Sequence, residues 1–312
     1  MDKLPVGGQA VIEGVMMRAP HAMAIAVRKP NGEVVVREER WRSLSHRFPF
    51  LKWPFIRGSV VLVETLINGL QALSFSANQA LEDGSHHGKL TSWALAGIMA
   101  GAFGIGILFF VILPHYLTGF LGPLIGRDLQ VRSFLFHWVD GLIKVGFLVG
   151  YIYCISRMKD IRRIFQYHGA EHQSIHAYEA GEELTVSNAR KYSTLHPRCG
   201  TAFLLVVLVV SIFVFSVIFP FLPEFSSMGK GVTNLIQVGI KLLLLIPIGG
   251  MAYEFIKLTG KKSNHLLARL AMTPGLWLQR LTTDPPTDDQ IEIALRALQG
   301  ALKLERQQIV VL

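Results

Sequence analysis

Hydrophobic residues in the middle of the chain form long runs without the spacing of a soluble helix. Four stretches are predominantly apolar over roughly 20 residues, the length of helix that crosses about 30 Å of hydrocarbon. They cover residues 91–114, 134–156, 201–223 and 234–258, and the second contains several polar residues. The pattern predicts a mainly α, polytopic helical membrane protein with about four transmembrane helices, forming a bundle over 91–258.

The first fifty residues have a different pattern, with short runs rich in β-formers. Two such runs flank Pro30, Asn31 and Gly32, and Asn-Gly favours a tight hairpin turn. An earlier glycine-containing run, 6–18, fits a strand with a turn at Gly14. We therefore predict a small N-terminal β-hairpin region over residues 1–50.

Residues 51–90 predict an amphipathic interfacial helix followed by a linker. Polar residues recur at three-to-seven spacing at Glu64, Asn68, Gln71 and Asn78, which fits a helix lying on the membrane surface or against the bundle. A fifth crossing here is disfavoured by Arg57 and Glu64.

The segment 259–312 predicts a helical tail. Thr287 stands three residues before Gln290, the spacing of a capping box, and two acids occupy the first turn. The apolar stripe of this helix comprises Ile291, Ala294, Leu295 and Leu298. A docking helix is the simplest interpretation of that stripe.

Charge predicts the orientation. Of the 312 residues, 51% are hydrophobic and 17% charged, and the net charge is +9. Lys and Arg concentrate in residues 1–90, 157–200 and 259–312, whereas the two short loops between spans hold only Arg127, Arg132 and Lys230. The positive-inside rule then predicts that both termini and the 157–200 loop lie in the cytoplasm.

The same basic segments predict the partners. The lipid bilayer and its anionic headgroups are expected to attract them. Nucleic acid is not expected, because no basic–aromatic motif or nucleic-acid fold signature appears. Cys154 and Cys199 lie at or near the reducing face, so no disulfide framework is expected.

The strongest chemical signal lies in the central loop, in the phrase HGAEHQSIHAYE. His168 and His172 are four residues apart and would share one face of a helix, and Glu171 precedes the second. This H-x-x-E-H order matches the inverzincin pattern, in which two imidazoles bind Zn²⁺ and the glutamate acts as general base. The alternative is the half-hydrated polar face of an interfacial helix.

Further donors strengthen the metal hypothesis. His176 continues the stripe, as an outer neighbour or as a ligand together with His172. The phrase HPRCG offers His196 and Cys199 just before a span, while Glu254 lies near the end of the last span, where a carboxylate is costly unless paired or coordinated. The sequence thus predicts a divalent metal, zinc above all, held by His168 and His172 and completed by Glu254 or by His196 and Cys199. Arg198 could stabilise a developing negative charge.

Several longer phrases resemble a known family. GGQAVIEGVMMR, HGAEHQSIHAYE, HPRCGTAFL, YEFIKLTG and PGLWLQRLTTDPPTDDQIEIALRAL are similar to the YqhQ-like family of bacterial membrane proteins, domain of unknown function 1385. The resemblance runs from Gly7 to about Leu298. It implies a multi-pass protein of the bacterial cytoplasmic (inner) membrane and carries no settled activity, substrate or catalytic residue.

Two alternatives to a metal-dependent hydrolase stay open. A non-enzymatic adaptor or scaffold would recruit a cytoplasmic protein partner through the hairpin, the interfacial helix and the tail from Thr287 to Leu312. A small transporter would use Asp140, Lys144 and Lys241, because charges inside membranes often mark a proton or ion pathway. With four spans, that transporter would need to be an oligomer. A structural ion pair is the simpler interpretation of those residues.

Overall fold

The computed structural model describes residues 3–80, 92–124, 129–223, 229–261 and 265–309. The predicted linker, residues 82–89, and the start of the first predicted span at residue 91 lie outside the described residues.

The N-terminal residues form one antiparallel sheet whose strands follow chain order: β1 (Gly7–Val11), β2 (Gly14–Arg18), β3 (Ala22–Arg28) and β4 (Val34–Arg40). The predicted hairpin is confirmed as β3–β4, with Gly32 at φ +85° in its turn. The earlier run forms a second hairpin rather than one bent strand. Gly14 begins β2, where a Cβ would lie 2.2 Å from the Ala26 carbonyl oxygen, so no side chain fits there.

Helices make up most of the remaining described chain, and two short 3-10 segments accompany them, Pro49–Lys52 and Phe219–Phe221. The α-helices are α1 (Leu44–Arg47), α2 (Ile56–Ala80), α3 (Ser92–Ile107), α4 (Leu113–Leu124), α5 (Phe134–Ser156), α6 (Lys159–Ala180), α7 (Val186–Ala189), α8 (Gly200–Ile218), α9 (Lys230–Lys261), α10 (Leu266–Thr282) and α11 (Asp288–Ile309).

The first apolar stretch extends further than predicted. A π-helical segment, Leu108–Ile112, joins α3 to α4, so the helix continues past Pro114 instead of ending there. Proline has no N–H for the helical ladder and collides with the preceding turn, and a π-bulge widens the helix at such a point. The apolar helix therefore ends ten residues later, at Leu124.

Five described helices are long and apolar enough to cross a membrane: Ile56–Ala80, Ala100–Leu124, Phe134–Ser156, Gly200–Phe221 and Gly231–Gly260. Four of them correspond to the predicted spans. The additional one is α2, which the sequence analysis placed on the membrane surface.

The sheet is covered on both faces. Alternate residues of a strand point to opposite faces, and Val15 and Met17 of β2 pack with α6 and α11. On the other face, Met16 packs with Ala72 of α2. The apolar stripe predicted for α11 lies in the first of these cores. The Thr287 N–H donates to Gln290 Oε1 at 2.9 Å, which is the return bond of the predicted capping box, whereas the Gln290 N–H donates to the Thr287 carbonyl. One core thus unites the beginning, middle and end of the chain.

Candidate metal centre

Helix α6 supplies three of the predicted donors on one face. Its C-terminus is closed by Gly181, whose φ of +83° is readily adopted only by glycine, and the N–H groups of Gly181 and Glu182 donate to the Ala177 carbonyl. Within the helix, four-residue spacing aligns the rings. The ring centroids of His168 and His172 are 4.4 Å apart.

Main-chain carbonyls orient both of these rings. His168 Nδ1 lies 2.8 Å from the Thr282 carbonyl oxygen, and His172 Nδ1 lies 2.5 Å from that of Thr194. A carbonyl oxygen only accepts, so each Nδ1 carries the proton. In neutral imidazoles the Nε2 lone pairs are then free to bind a cation. Such contacts fix the tautomer of metal-binding histidines in known sites.

Cys199 completes this group from the start of α8. Its sulfur is the N-cap of the helix, accepting from the Thr201 N–H at 3.4 Å, and it lies 3.1 Å from His168 Nε2. One ligand atom each from His168, His172 and Cys199 lies within 4.8 Å of the other two, and Cys199 and His172 are buried. We call these three residues the His–Cys group.

A second group adjoins it, formed by His176, Glu179 and His196. The His196 ring lies between the others, with its centroid 5.5 Å from that of His172 and 4.6 Å from that of His176. Its nitrogens are already bonded. The Arg198 N–H donates to Nδ1 at 3.3 Å, and Nε2 donates to Glu179 at 3.4 Å. His196 is therefore less free than His168 or His172 to bind a metal.

Glu179 is held as a carboxylate. Burial raises the pKa of this carboxyl, but the hydrogen bond from His196 and the positive charge of Arg198 outweigh it and leave the pKa below its ordinary value. The Arg198 guanidinium pairs directly with Glu179. The arginine proposed to stabilise developing charge is thus engaged with the second group.

Helix α10 positions the loop that carries His196 and Cys199. The buried Gln279 side chain accepts from the His196 N–H at 2.9 Å and donates to the His196 carbonyl at 2.8 Å. The last turn of the same helix provides the Thr282 carbonyl that orients His168. Helices α6, α8 and α10 therefore meet at this group.

Glu171, the predicted general base, is buried but belongs to neither group. Its carboxylate accepts from the Gly8 N–H of β1, and burial raises its pKa to about 7. The packing is close, since a Cβ on Gly8 would lie 2.8 Å from Glu171 Cδ. Glu171 therefore joins the helix to the sheet.

Glu254, another predicted ligand, also lies outside both groups. Its carboxylate accepts two hydrogen bonds from the Arg57 guanidinium of α2, each at 2.5 Å. A carboxylate near the end of a span is energetically costly unless it is paired or binds a metal. Because Arg57 pairs with Glu254, no metal is needed to stabilise this carboxylate. Of the two predicted ways to complete the site, the geometry favours Cys199.

Sequence reasoning missed Glu179, Gln279 and the two orienting carbonyls. Glu179 had a signal, because it lies three residues after His176 on the same helix face. The carbonyls of Thr194 and Thr282 had none, since any residue type supplies one.

The architecture is that of a helical protein with membrane-length apolar helices and a histidine–cysteine group at the end of its bundle. The chain belongs to the family described as Protein of unknown function (DUF1385), whose model matches residues 53–304. It is 32% identical over 317 aligned residues to the uncharacterized protein YqhQ of Bacillus subtilis (strain 168), covering 96% of this chain and 92% of that protein. No solved structure matches. The resemblance drawn from the sequence is confirmed.

Proposed function

We propose that the chain is a four-span protein of the bacterial cytoplasmic membrane that binds a zinc-type metal ion at the cytoplasmic face. The number of spans is supported by counting the membrane crossings between segments that lie on the same side. The sheet, α6 and α11 share one core, so they lie on the same side of the membrane. An even number of crossings must therefore separate the sheet from α6, although three of the five membrane-length helices lie between them.

Helix α2 is the one that does not cross. Its first turns pack on the end of α9, where Gly58 approaches Gly250 and Arg57 pairs with Glu254. Its later turns pack on the sheet, through Ala72 and through Gly69 beside Gln9. A helix that touches the sheet at one end and the near end of a span at the other lies along the interface. The concentration of Lys and Arg on this side makes it cytoplasmic.

The metal proposal rests on one observation, the convergence of His168, His172 and Cys199 within 4.8 Å with both imidazole tautomers fixed. Imidazole nitrogen and thiolate sulfur are the ligands zinc prefers, at about 2.0 and 2.3 Å. Three protein ligands leave a fourth tetrahedral position for water or substrate, as in catalytic zinc sites. We therefore favour a hydrolytic role, in which an ion held by these three residues would lower the pKa of a water molecule.

The base in that reaction is a separate proposal from the metal. Glu171 is bonded to Gly8 and directed toward the sheet, whereas Glu179 lies in the adjoining histidine group. Glu179 is therefore the carboxylate that adjoins the His–Cys group, and it would have to leave Arg198 and His196 in order to act as the base.

Metal analysis of purified full-length protein tests the proposal. We expect about one equivalent of zinc or a similar ion, in keeping with a single three-donor site. Substitution of His168 and His172 by Ala should abolish it, and Cys199→Ser should lower it sharply.

Matched controls exist for each residue type. His46 is an exposed histidine outside both groups, and Cys154 is the other free cysteine. His46→Ala and Cys154→Ser should retain the full metal content. Metal content that is unchanged in the His168→Ala/His172→Ala protein, or equally reduced in the controls, would rule the site out.

The adaptor alternative has less support. The apolar stripe of α11, which lies in one of the three elements that this alternative would use, is buried within the protein's own core at Ile291, Ala294 and Leu298. That stripe is not free to recruit a partner.

A further inference from the structure

A second polar cluster lies inside the bundle, away from the histidines of α6. Asp140 Oδ2 accepts from Lys144 Nζ at 2.7 Å and from Lys241 Nζ at 3.0 Å, and Lys241 Nζ also lies 3.2 Å from His115 Nδ1. All four residues are at most 3% exposed. At 1.5 Å per residue, Lys241 is about 10 Å along its span from Asn234, within the hydrocarbon region of a bilayer.

The charges in this cluster do not balance. With neutral imidazoles, two ammonium groups face one carboxylate, which leaves one excess positive charge in the apolar interior. His137 is the other titratable group facing the cluster among the described residues. An uncompensated charge at this depth costs several kcal/mol. Either a bound anion compensates it or one lysine gives up a proton.

The surroundings disfavour an anion. The Lys241 ammonium lies 5.2 Å from the Phe136 ring centroid and 5.7 Å from that of Phe215, so aromatic rings already fill the space around it. The polar atoms left without a partner among the described residues include two acceptors, Asp140 Oδ1 and Gln237 Oε1, and the two ring nitrogens of His137, one of which is a donor. The two acceptors would repel an anion, whereas loss of a proton requires no additional space.

His115 provides a route for that proton. One ring nitrogen faces Lys241, and the Asn234 side chain also hydrogen-bonds the ring. Asn234 is four residues into α9, at the end of the bundle opposite the His–Cys group. An imidazole bonded on two sides can accept a proton at Nδ1 and release the one at Nε2.

Apolar side chains block a proton path from this cluster toward the histidines of α6. Leu148 and Ile152 of α5 pack with Leu205 and Leu278 between this cluster and the histidines of α6. Proton exchange is therefore one-sided in this conformation.

We propose that Lys241 and His115 hold an exchangeable proton, taken up and released past Asn234 at the end of the bundle away from the metal centre. The site depends on the four-span arrangement and is independent of metal binding, so either can fail without the other.

The test is nitrogen NMR of full-length protein with ¹⁵N-labelled lysine in lipid nanodiscs, between about pH 5 and pH 9. One lysine signal should convert between ammonium and neutral amine in this range, and Lys241→Met should remove it. Lys241→Arg should also remove the conversion while keeping the positive charge, because guanidinium does not lose its proton. The arginine variant covers the case in which the methionine variant does not fold.

His115→Gln keeps a hydrogen-bonding side chain but cannot relay a proton, so exchange of the Lys241 proton with water should slow by about a hundredfold. Lys191→Met, which removes an exposed lysine, should leave the conversion unchanged. The proposal is overturned if Lys144 and Lys241 both remain ammonium throughout. It is equally overturned if their signals respond to chloride and not to pH, because an anion would then balance the charge.

Discussion

The protein contains two buried polar clusters, and they are built on opposite principles. In the His–Cys group, main-chain carbonyls bond Nδ1 of His168 and of His172, which leaves Nε2 of each ring as the atom that faces a cation. In the bundle, the side chains of Asp140, Lys144 and Lys241 bond to one another. The first arrangement orients ligand atoms toward a cation that could be added. The second already has two lysines for one carboxylate. The clusters should therefore respond in opposite ways to loss of a charged or ligating group.

The largest effect is expected at Asp140. Asp140→Asn removes the carboxylate to which both buried lysines bond, and should lower the free energy of unfolding by about 3–5 kcal/mol. Lys241→Met leaves a balanced pair and should cost far less. Thermal unfolding of both proteins in the same detergent makes the comparison, and an equal loss of stability would remove the argument from excess charge.

Metal removal should affect only the other cluster. For a site saturated at a hundred times its Kd, chelation should lower stability by about 2.7 kcal/mol. The measurement is the shift in Tm on adding chelator. Asp140→Asn protein that still folds should show the same shift, and His168→Ala/His172→Ala protein should show none. A shift that persists in the double variant would locate the ion elsewhere.

Gln279 tests how the loop is positioned. Gln279→Met removes both hydrogen bonds to the His196 main chain while keeping side-chain length, and should cost about 1–3 kcal/mol. Metal affinity should fall by about 10–100-fold, as for other residues that support ligands. Isothermal titration with zinc measures the affinity; an unchanged value would mean that α10 does not position the ligands.

Gly8 provides the smallest and most selective test. Gly8→Ala places a methyl group 2.8 Å from Glu171 Cδ, and the resulting displacement should cost about 1 kcal/mol. Metal content should not change, because Glu171 is outside the His–Cys group. A loss of metal comparable to that of Cys199→Ser would show that Glu171 takes part in binding.

Local patterns predicted the β3–β4 hairpin, the α11 cap and the shared face of His168 and His172, because each depends on residues close in sequence. The choice between Glu254 and Cys199 depended on tertiary packing. Arg57, 197 residues away in the sequence, forms an ion pair with Glu254, and nothing in the sequence around Glu254 indicates that partner. The sharing of one core by the sheet, α6 and α11 likewise arises from contacts between distant segments, and it underlies the count of membrane crossings.

The most direct test of the central claim is X-ray absorption at the zinc edge on the purified, metal-loaded protein. We expect one sulfur at about 2.3 Å and two imidazole nitrogens at about 2.0–2.1 Å, with one lighter ligand in the fourth position. Cys199→Ser should remove the sulfur contribution and Cys154→Ser should not. A shell of oxygen ligands without sulfur or imidazole would contradict the account.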